Sequence, residues 1–340
     1  MLDIFRNNAF GVIPLTDAIN NLEFVPGRIG QMGIFSTNSV ATTAIGIESK
    51  NGVLSLIAPT PRGGAGVTQD KEKRTIRFLG IPHFQIDDAI MAEEVQGVRA
   101  FGSENAVEGV MAKVDERMAI HGQSLAATQE SNRVGAIKGI ITYADGSTVD
   151  LFSEFDETQL AEIDLDLDNA SPAEGALRKK CAAIVRATAG QLDGVAWSGK
   201  VRSIVGDNVF DDLLTHPEVR ATYEGWSEAK ILREGYIEAD GKSYGAFEFG
   251  GIIFENYRGA TGGTAFVDTN KAHMFPEGVP GLFRTAYGPA DYIETVNTLG
   301  KPMYMKQMPM KNDKGVEIEV QMNALEYCTR PKVLIKAKRT

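Results

Sequence analysis

Gly194-Val195-Ala196-Trp197-Ser198-Gly199-Lys200-Val201 sets two glycines and a lysine at the spacing of a loop that cradles nucleotide phosphates. Such a loop closes on Ser or Thr, because that hydroxyl ligates magnesium, and Val201 has none. No long apolar strand leads in and no helix signal follows at once, so the stretch reads as a turn at a strand edge. Asp164-Leu165-Asp166-Leu167-Asp168-Asn169 opens like a calcium loop, but Asn169 stands where the sharp turn needs Gly and Gly175 where the bidentate Glu belongs. Its alternation with Ile163, Leu165 and Leu167 reads instead as a strand with one wet face.

The remaining chemistry-bearing residues are dispersed. His83, His121, His216 and His273 include no pair at the spacing of a helical zinc site, and no Gly-x-Ser-x-Gly elbow occurs. His121 falls on a helical apolar stripe and reads as a satisfied, partly buried side chain. The neighbours Asp87-Asp88 and Asp211-Asp212 read as solvated surface groups. Gly63-Gly64-Ala65-Gly66 reads as a flexible tip, since no helix follows it to make a phosphate site. Cys181 and Cys328 read as inert buried thiols, with one disulfide between them as the alternative. The expectation is therefore no catalytic residue, no cofactor and no metal.

Composition bounds the partners. Thirty-five Lys and Arg against 45 Asp and Glu give a formal charge of -10, with basic residues scattered apart from Lys71-Glu72-Lys73-Arg74, Arg178-Lys179-Lys180 and the tail 336–339. A chain that grips DNA by its phosphates carries a larger basic footprint. With 43% hydrophobic and 24% charged residues the mixture is that of a folded globular protein rather than a disordered one. Met1-Leu2-Asp3-Ile4-Phe5-Arg6 lacks the basic leader and apolar run of a secretory signal, and no stretch has the apolar length of a membrane span, so a cytoplasmic origin is the default.

The elements that would position these residues are mixed. Residues 1–50 hold strand-like pieces around 29–47 without a neighbouring partner, which suits a segment lying across another subunit better than one joining a distant sheet of its own domain. Residues 52–57 and 73–78 read as two extended arms around the polar, glycine-rich tip 59–66, a finger too poor in apolar side chains to pack a core of its own. A helix of about 45 Å is expected over 103–132, its stripe of Val107, Met111, Val114, Met118, His121 and Leu125 laid against a sheet. Runs at 136–143 and 149–152 flank Ala144-Asp145-Gly146-Ser147 as a hairpin. Ser171-Pro172-Ala173-Glu174 supplies a cap, a first-turn proline and a reciprocal Glu for a helix burying Leu177, Cys181, Ile184, Val185 and Thr188. A shorter helix follows Asp207 and stops before Pro217, and strands are expected at 246–249, 252–255, 301–305 and 316–320. The class is α+β with projecting segments, unlike the repeated strand-helix units of a Rossmann enzyme.

The sequence is most specific in Ala272-His273-Met274-Phe275-Pro276-Glu277-Gly278-Val279-Pro280-Gly281-Leu282-Phe283, in Tyr287-Gly288-Pro289-Ala290-Asp291-Tyr292-Ile293-Glu294-Thr295-Val296-Asn297 and in Glu326-Tyr327-Cys328-Thr329-Arg330-Pro331. These residues resemble the major capsid protein family of lambda-type tailed bacteriophages, the family of the lambda head protein, over nearly the whole chain. The resemblance implies an HK97-type capsid fold with an N-terminal arm (1–49), an extended loop (50–80), a peripheral domain (81–172) with its spine helix near 103–132, an axial domain (173–322) and a C-terminal return to the peripheral domain (323–340). It implies a non-enzymatic subunit that self-assembles through hexamers and pentamers into an icosahedral virion capsid around double-stranded DNA, formed in the host bacterial cytoplasm. Scaffolding protein, decoration protein and portal are the partner candidates it brings, with no membrane.

A shell subunit must touch several neighbours, and the finger is the natural place for it to do so. Thr60, Arg62, Gly64, Lys71, Lys73 and Arg74 are accordingly the candidate intersubunit contacts, and Val107, Met111, Val114 and Met118 the candidate helix-packing residues. Two rival readings remain at this level: another virion component such as a tail tube or baseplate protein, and an α+β metabolic enzyme with a lid at 59–70.

Overall fold

The computed structural model describes residues 27–50, 74–91, 93–94, 106–224, 236–237, 243–261, 264–311 and 314–340. The chain forms two compact units. The first holds 27–45, Leu79–Arg133 and Arg284–Glu326; the second holds Val134–Phe283 and Tyr327–Thr340 with the described parts of 46–78.

In the first unit the strand Gly315–Cys328 is the organising element, because its 14 residues are enough to seat three partners along its length. His83–Met91 and Tyr304–Pro309 both run antiparallel to it, and the path continues through Phe283–Tyr287 to Phe35–Ser39. The register brings Ile90, Ile86 and Phe84 opposite Val316, Val320 and Met322, and Met305 opposite Val320. With a side-chain period of two, those residues share one face, while Asp87, Glu317, Glu319 and Lys306 share the other. The long helix Ala106–Lys138 packs on the apolar face through Met118 and Leu125, in one cluster with Ile90, Met305, Ile318, Val320 and Met322. Burial of each such side chain stabilises the seam by about 1.5–3 kcal/mol.

The helix Ala106–Lys138 runs past the expected end at 132 and through what the sequence presented as a strand. Its buried positions 118, 122, 125, 129 and 132 keep the three-and-four spacing of a single stripe, with Glu130 buried beside it. Val134, Gly135, Ala136 and Ile137 are then all buried, so the last turn is enclosed on every side rather than laid on a sheet. Gly139 ends it with a left-handed backbone (φ 81°), and a Cβ there would stand 2.3 Å from the ring of Phe152. The hairpin that follows is Ile140–Thr142 with Thr148–Asp150, and Leu151–Glu154 is a helical turn capped by the Asp150 carboxylate rather than more strand.

The strand Phe35–Ser39 joins the first unit's own sheet, and Val40 N–H donates to Tyr287 O at 2.9 Å. This part of the N-terminal segment therefore finds its partner within its own chain, against the preference the sequence suggested.

The second unit is built on a six-stranded sheet in the order Ala246–Phe249, Ile252–Asn256, Val201–Val205, Lys271–Pro276, Ile335–Lys338, Ile163–Asp164. Two of its pairings, Ile252–Asn256 with Val201–Val205 and Ile335–Lys338 with Ile163–Asp164, are parallel and the rest antiparallel. Its core joins Phe254, Val205, Met274 and Ile335 to helix Ala176–Gln191 through Leu177, Cys181 and Ile184, and to helix Asp207–Thr215 through Val209, Phe210 and Leu213. A further helix, Pro217–Glu224, starts at the proline expected only as a stop. The Gly250-Gly251 turn takes φ of 62° and 84°, and a Cβ on Gly250 would meet Cys181 Cβ at 2.6 Å, so the turn and the buried thiol fit together only because Gly250 lacks a side chain.

One sequence expectation fails here for an identifiable reason. Helix Ala176–Gln191 begins after Ser171-Pro172, with Gly175 left-handed and no local side-chain cap; its first N–H groups at Leu177 and Arg178 are taken by the Glu218 carboxylate at 3.1 and 3.2 Å. A tertiary carboxylate has replaced the local box. The compact units follow strand pairing: Arg284–Glu326 clusters with the long helix because Gly315–Cys328 pairs His83–Met91, and 327–340 joins the six-stranded sheet because Ile335–Lys338 pairs Lys271–Pro276.

Replacing Met118 by Asp places an unpaired carboxylate in the helix-sheet seam, and a loss of several kcal/mol is expected. Urea unfolding of the variant should show a midpoint well below the parent's; an unchanged midpoint contradicts the packing described.

Candidate functional site

Of the motifs that approached a ligand site, Gly63–Gly66 lies outside the described residues, and neither of the other two holds its form in three dimensions. Gly194 and Gly199 both have positive φ, Ser198 Oγ donates to Glu277 O at 2.6 Å, and Lys200 leads straight into strand Val201–Val205, so the turn at a strand edge is what stands there. In the aspartate run Leu165 and Leu167 are buried as the alternation predicts, but only Ile163–Asp164 is strand, since Asp166 turns left-handed at φ 57°. Among the described residues no group of three or more His, Cys, Asp or Glu is arranged to hold a metal.

The histidines are each absorbed by structure. His83 shares its ring nitrogens with Asn323 Oδ1 at 2.7 Å and Gln85 Oε1 at 3.0 Å, and His216 Nδ1 accepts from Glu218 N–H at 3.3 Å. Burial first, then the charges of Lys138, Lys336 and Lys271, press His273 down to about 3, so it stays neutral. Burial likewise pushes the Cys181 and Cys328 thiols up to about 12, and both are free and buried.

His121 is bonded as expected, but its partner was not foreseen: Nε2 lies 2.8 Å from Asp88 Oδ2, which also takes Arg117 Nη1 at 3.2 Å. Asp88 is thus no solvated surface group. It stands at the inward parity of its strand, between Ile86 and Ile90. Burial raises its carboxyl, but the His121 hydrogen bond, the Ala89 N–H and the Arg117 charge outweigh that and hold it below the ordinary value. Its stabilising effect is present above the ordinary carboxylate range and is lost as pH falls through the lowered value.

A second buried polar centre lies on the turn 129–133 of the long helix. Glu130 is 3% exposed, and its Oε1 and Oε2 accept the N–H groups of Ile29 at 2.7 Å and Gly30 at 3.0 Å, capping the turn Arg28–Gln31. A Cβ on Gly27 would fall 2.2 Å from Glu130 Cδ, so the chain approaches this closely only with glycine there. Arg133 Nη1 is 3.9 Å from Glu130 Oε2, and its guanidinium stands 5.9 Å over the Phe35 ring. Gln129 Nε2 completes the turn at 3.0 Å from both Tyr287 OH and Glu326 Oε1. Sequence reasoning missed this centre; the available signal was Gln129 and Asn132 falling on the same stripe as Met118 and Leu125, polar residues where apolar ones belong.

Of the helix-packing residues expected, Met118 is buried in the seam, while the side chains of Val107, Met111 and Val114 lie outside the described residues although their backbone is helical. Of the intersubunit contacts expected, Thr60, Arg62, Gly64, Lys71 and Lys73 lie outside the described residues, and Arg74 opens strand Arg74–Gly80 without a described side chain. That strand pairs only with Ala44–Lys50 among the described residues, outside both larger sheets. At its base Arg77 is tied to the Asp156 carboxylate and Glu154 O, whereas the next residue, Phe78, is 74% exposed. A second apolar display is the turn after Tyr292, where Ile293 is 94% exposed with Val296 and Leu299 also exposed, and the backbone is held by Thr295 Oγ1 donating to Ala290 O at 2.7 Å.

The sequence of residues 12–339 matches the family model described as phage major capsid protein E. The chain is 28% identical to the major capsid protein of Pseudomonas phage KPP10 over 97% of both chains, and 26% identical to that of Salmonella phage Felix O1 over 99% of this chain and 98% of the other. Its fold is similar to a crystal structure assigned as the capsid protein of a prophage of E. coli CFT073, with a TM-score of 0.62 at 13% identity over 97% and 99% of the two chains. It is also similar to the capsid of cyanophage P-SCSP1u, with a TM-score of 0.50 at 13% identity over 90% and 86%.

Replacing Glu130 by Ala orphans the Ile29 and Gly30 N–H groups and leaves Arg133 short of its counter-charge, which is expected to cost about 3–5 kcal/mol. Thermal unfolding with parent-like stability would show that the centre does not carry the anchoring of residues 27–31.

Proposed function

The chain belongs to the phage major capsid protein E family, with the HK97-like α+β fold of phage capsids, and from that premise we propose how this head subunit builds its shell. It is a major capsid protein of a phage head, located in the virion capsid, and its shell is assembled from capsomers of the same protein. Those capsomers are hexamers and pentamers closing an icosahedron around double-stranded DNA, and assembly takes place in the host bacterial cytoplasm with a scaffold and a portal. The role is architectural, not catalytic. The unit carrying the long helix corresponds to the peripheral domain, and the unit carrying the six-stranded sheet to the axial domain.

The observation that carries the mechanism is the ribbon Ala44–Lys50 with Arg74–Gly80, two-stranded among the described residues, whose base is fixed by Arg77 while Phe78 is exposed. A two-stranded ribbon outside any larger sheet is marginal in water, and an exposed aromatic on it favours a covering partner. The finger between these strands is the intersubunit element, with Thr60, Arg62, Gly64, Lys71, Lys73 and Arg74 as its contacts on a second copy. Basic groups there are individually worth little when exposed, so the contact gains strength from repetition over the closed array.

Removing residues 58–70 and joining the arms by a short turn should leave a cooperatively melting subunit, because the helix-sheet seam is untouched, and should abolish closed particles. Circular dichroism with electron microscopy checks both; normal closed shells defeat the intersubunit role, and collapse of the subunit shows that the finger belongs to its own chain's core.

A further inference from the structure

The hairpin Ile140–Thr142 with Thr148–Asp150 turns through Ala144-Asp145-Gly146-Ser147, where Gly146 N–H donates to Tyr143 O at 3.0 Å and Tyr143 N–H donates to Ser147 O at 2.9 Å. Gly146 closes this turn with φ of 84°, so a residue with a Cβ is strained there although the surrounding space is open. The fold therefore keeps glycine directly after Asp145, on an exposed tip. That juxtaposition has a chemical consequence. With no side chain on the following residue, the backbone nitrogen of an Asp-Gly unit meets the preceding carboxyl carbon with little hindrance, and the two close into a five-membered imide.

Both reacting groups are engaged in the folded hairpin. Gly146 N, the nucleophile, has its hydrogen directed at Tyr143 O. Asp145 Oδ1 accepts from the Ser147 hydroxyl at 2.6 Å and from Ser147 N–H at 2.9 Å. An ionised carboxylate resists attack, and the ring closes on the neutral acid, whose hydroxyl departs as water. The Ser147 hydroxyl, and after it the Ser147 N–H, hold the Asp145 carboxyl below its ordinary value. Less of the reactive neutral acid is then present at neutral pH.

We propose that Asp145 is a site of spontaneous isoaspartate formation, and that Ser147 restrains it by engaging the carboxylate. Gly146 N attacks Asp145 Cγ, the C–OH bond breaks, and the hydroxyl leaves with the amide proton as water. Water then adds at the Asp145 backbone carbonyl and breaks its bond to Gly146 N, so the chain continues through Cγ. The mass is unchanged and nothing is oxidised or reduced. The product carries one extra methylene in the backbone of a tight turn, which shifts the pairing of Thr148–Asp150 and with it the Asp150 cap on Leu151–Glu154. A subunit in a finished shell is not replaced, so the change accumulates with particle age. That last consequence rests on the capsid reading; the chemistry at Asp145 does not.

The test is the rate of isoaspartate formation in the full chain held folded at neutral pH. It is read on the tryptic peptide 139–178 by electron-transfer fragmentation, which separates aspartate from isoaspartate. Asp193-Gly194, the other Asp-Gly unit among the described residues, has its carboxylate paired with Lys332 and serves as the internal reference. Ser147→Ala should speed the reaction at Asp145 several-fold, Ser147→Thr, which keeps the hydroxyl, should return it to the parent's rate, and Asp193 should react alike in all three. No isoaspartate at Asp145 in Ser147→Ala overturns the site. Equal rates in the parent and Ser147→Ala, or a Ser147→Thr as fast as Ser147→Ala, overturn the role of Ser147. Should the variants fail to fold, the parent decides: Asp145 reacting several-fold more slowly in the folded chain than in urea supports the restraint, and equal rates overturn it.

Discussion

The long helix has to satisfy two different partners along one stripe, and the first unit is organised around that requirement. Over Met118 and Leu125 the stripe is apolar and meets the face of the strand Gly315–Cys328. A turn later it becomes Gln129, Asn132 and Arg133, with Glu130 buried beside it, and the contacts become hydrogen bonds and charge. Apolar burial tolerates small slips, whereas an unpaired buried carboxylate does not. The apolar seam thus supplies most of the stabilisation, and the polar turn sets the register in which strand, helix and N-terminal segment meet.

The same division of labour recurs in the second unit. Its core of Phe254, Val205, Met274 and Ile335 is apolar, while Glu218 fixes the start of helix Ala176–Gln191 and Arg202 spans Glu255 and Glu277 at 2.8 and 2.9 Å. A shell subunit bears load through many weak repeated contacts, so each unit must keep its own geometry while neighbours act on it. Buried charge-assisted bonds serve that rigidity, because breaking one leaves its partner unpaired in a low-dielectric interior.

Much of this was legible from residue order. Strict alternation located Val316–Val320, strands were expected at 246–249 and 252–255 where they stand, Asp145-Gly146 marked the hairpin, and the three-and-four spacing found the long helix and Met118. Where reading failed, the deciding partner lay far along the chain. Ala136-Ile137 looks like strand because Ile is at home in both states, and only enclosure within the second unit makes it helix. Ser171-Pro172 offered a good local cap, but Glu218, 41 residues from Leu177, took its place. Asp88 looked like surface charge because nothing adjacent in sequence announces His121. The candidate site was legible as a type of segment, a glycine-rich polar stretch between two extended arms, and its residues 51–73 lie outside the described ones.

The central claim is that this chain's finger is completed by a neighbouring copy while its own folded units stand independently. A reconstruction of the assembled particle at side-chain resolution tests it most directly. The account predicts residues 58–70 of each copy lying on an adjacent subunit, with Phe78 covered there; a finger folded back onto its own chain, with Phe78 still facing solvent, contradicts it.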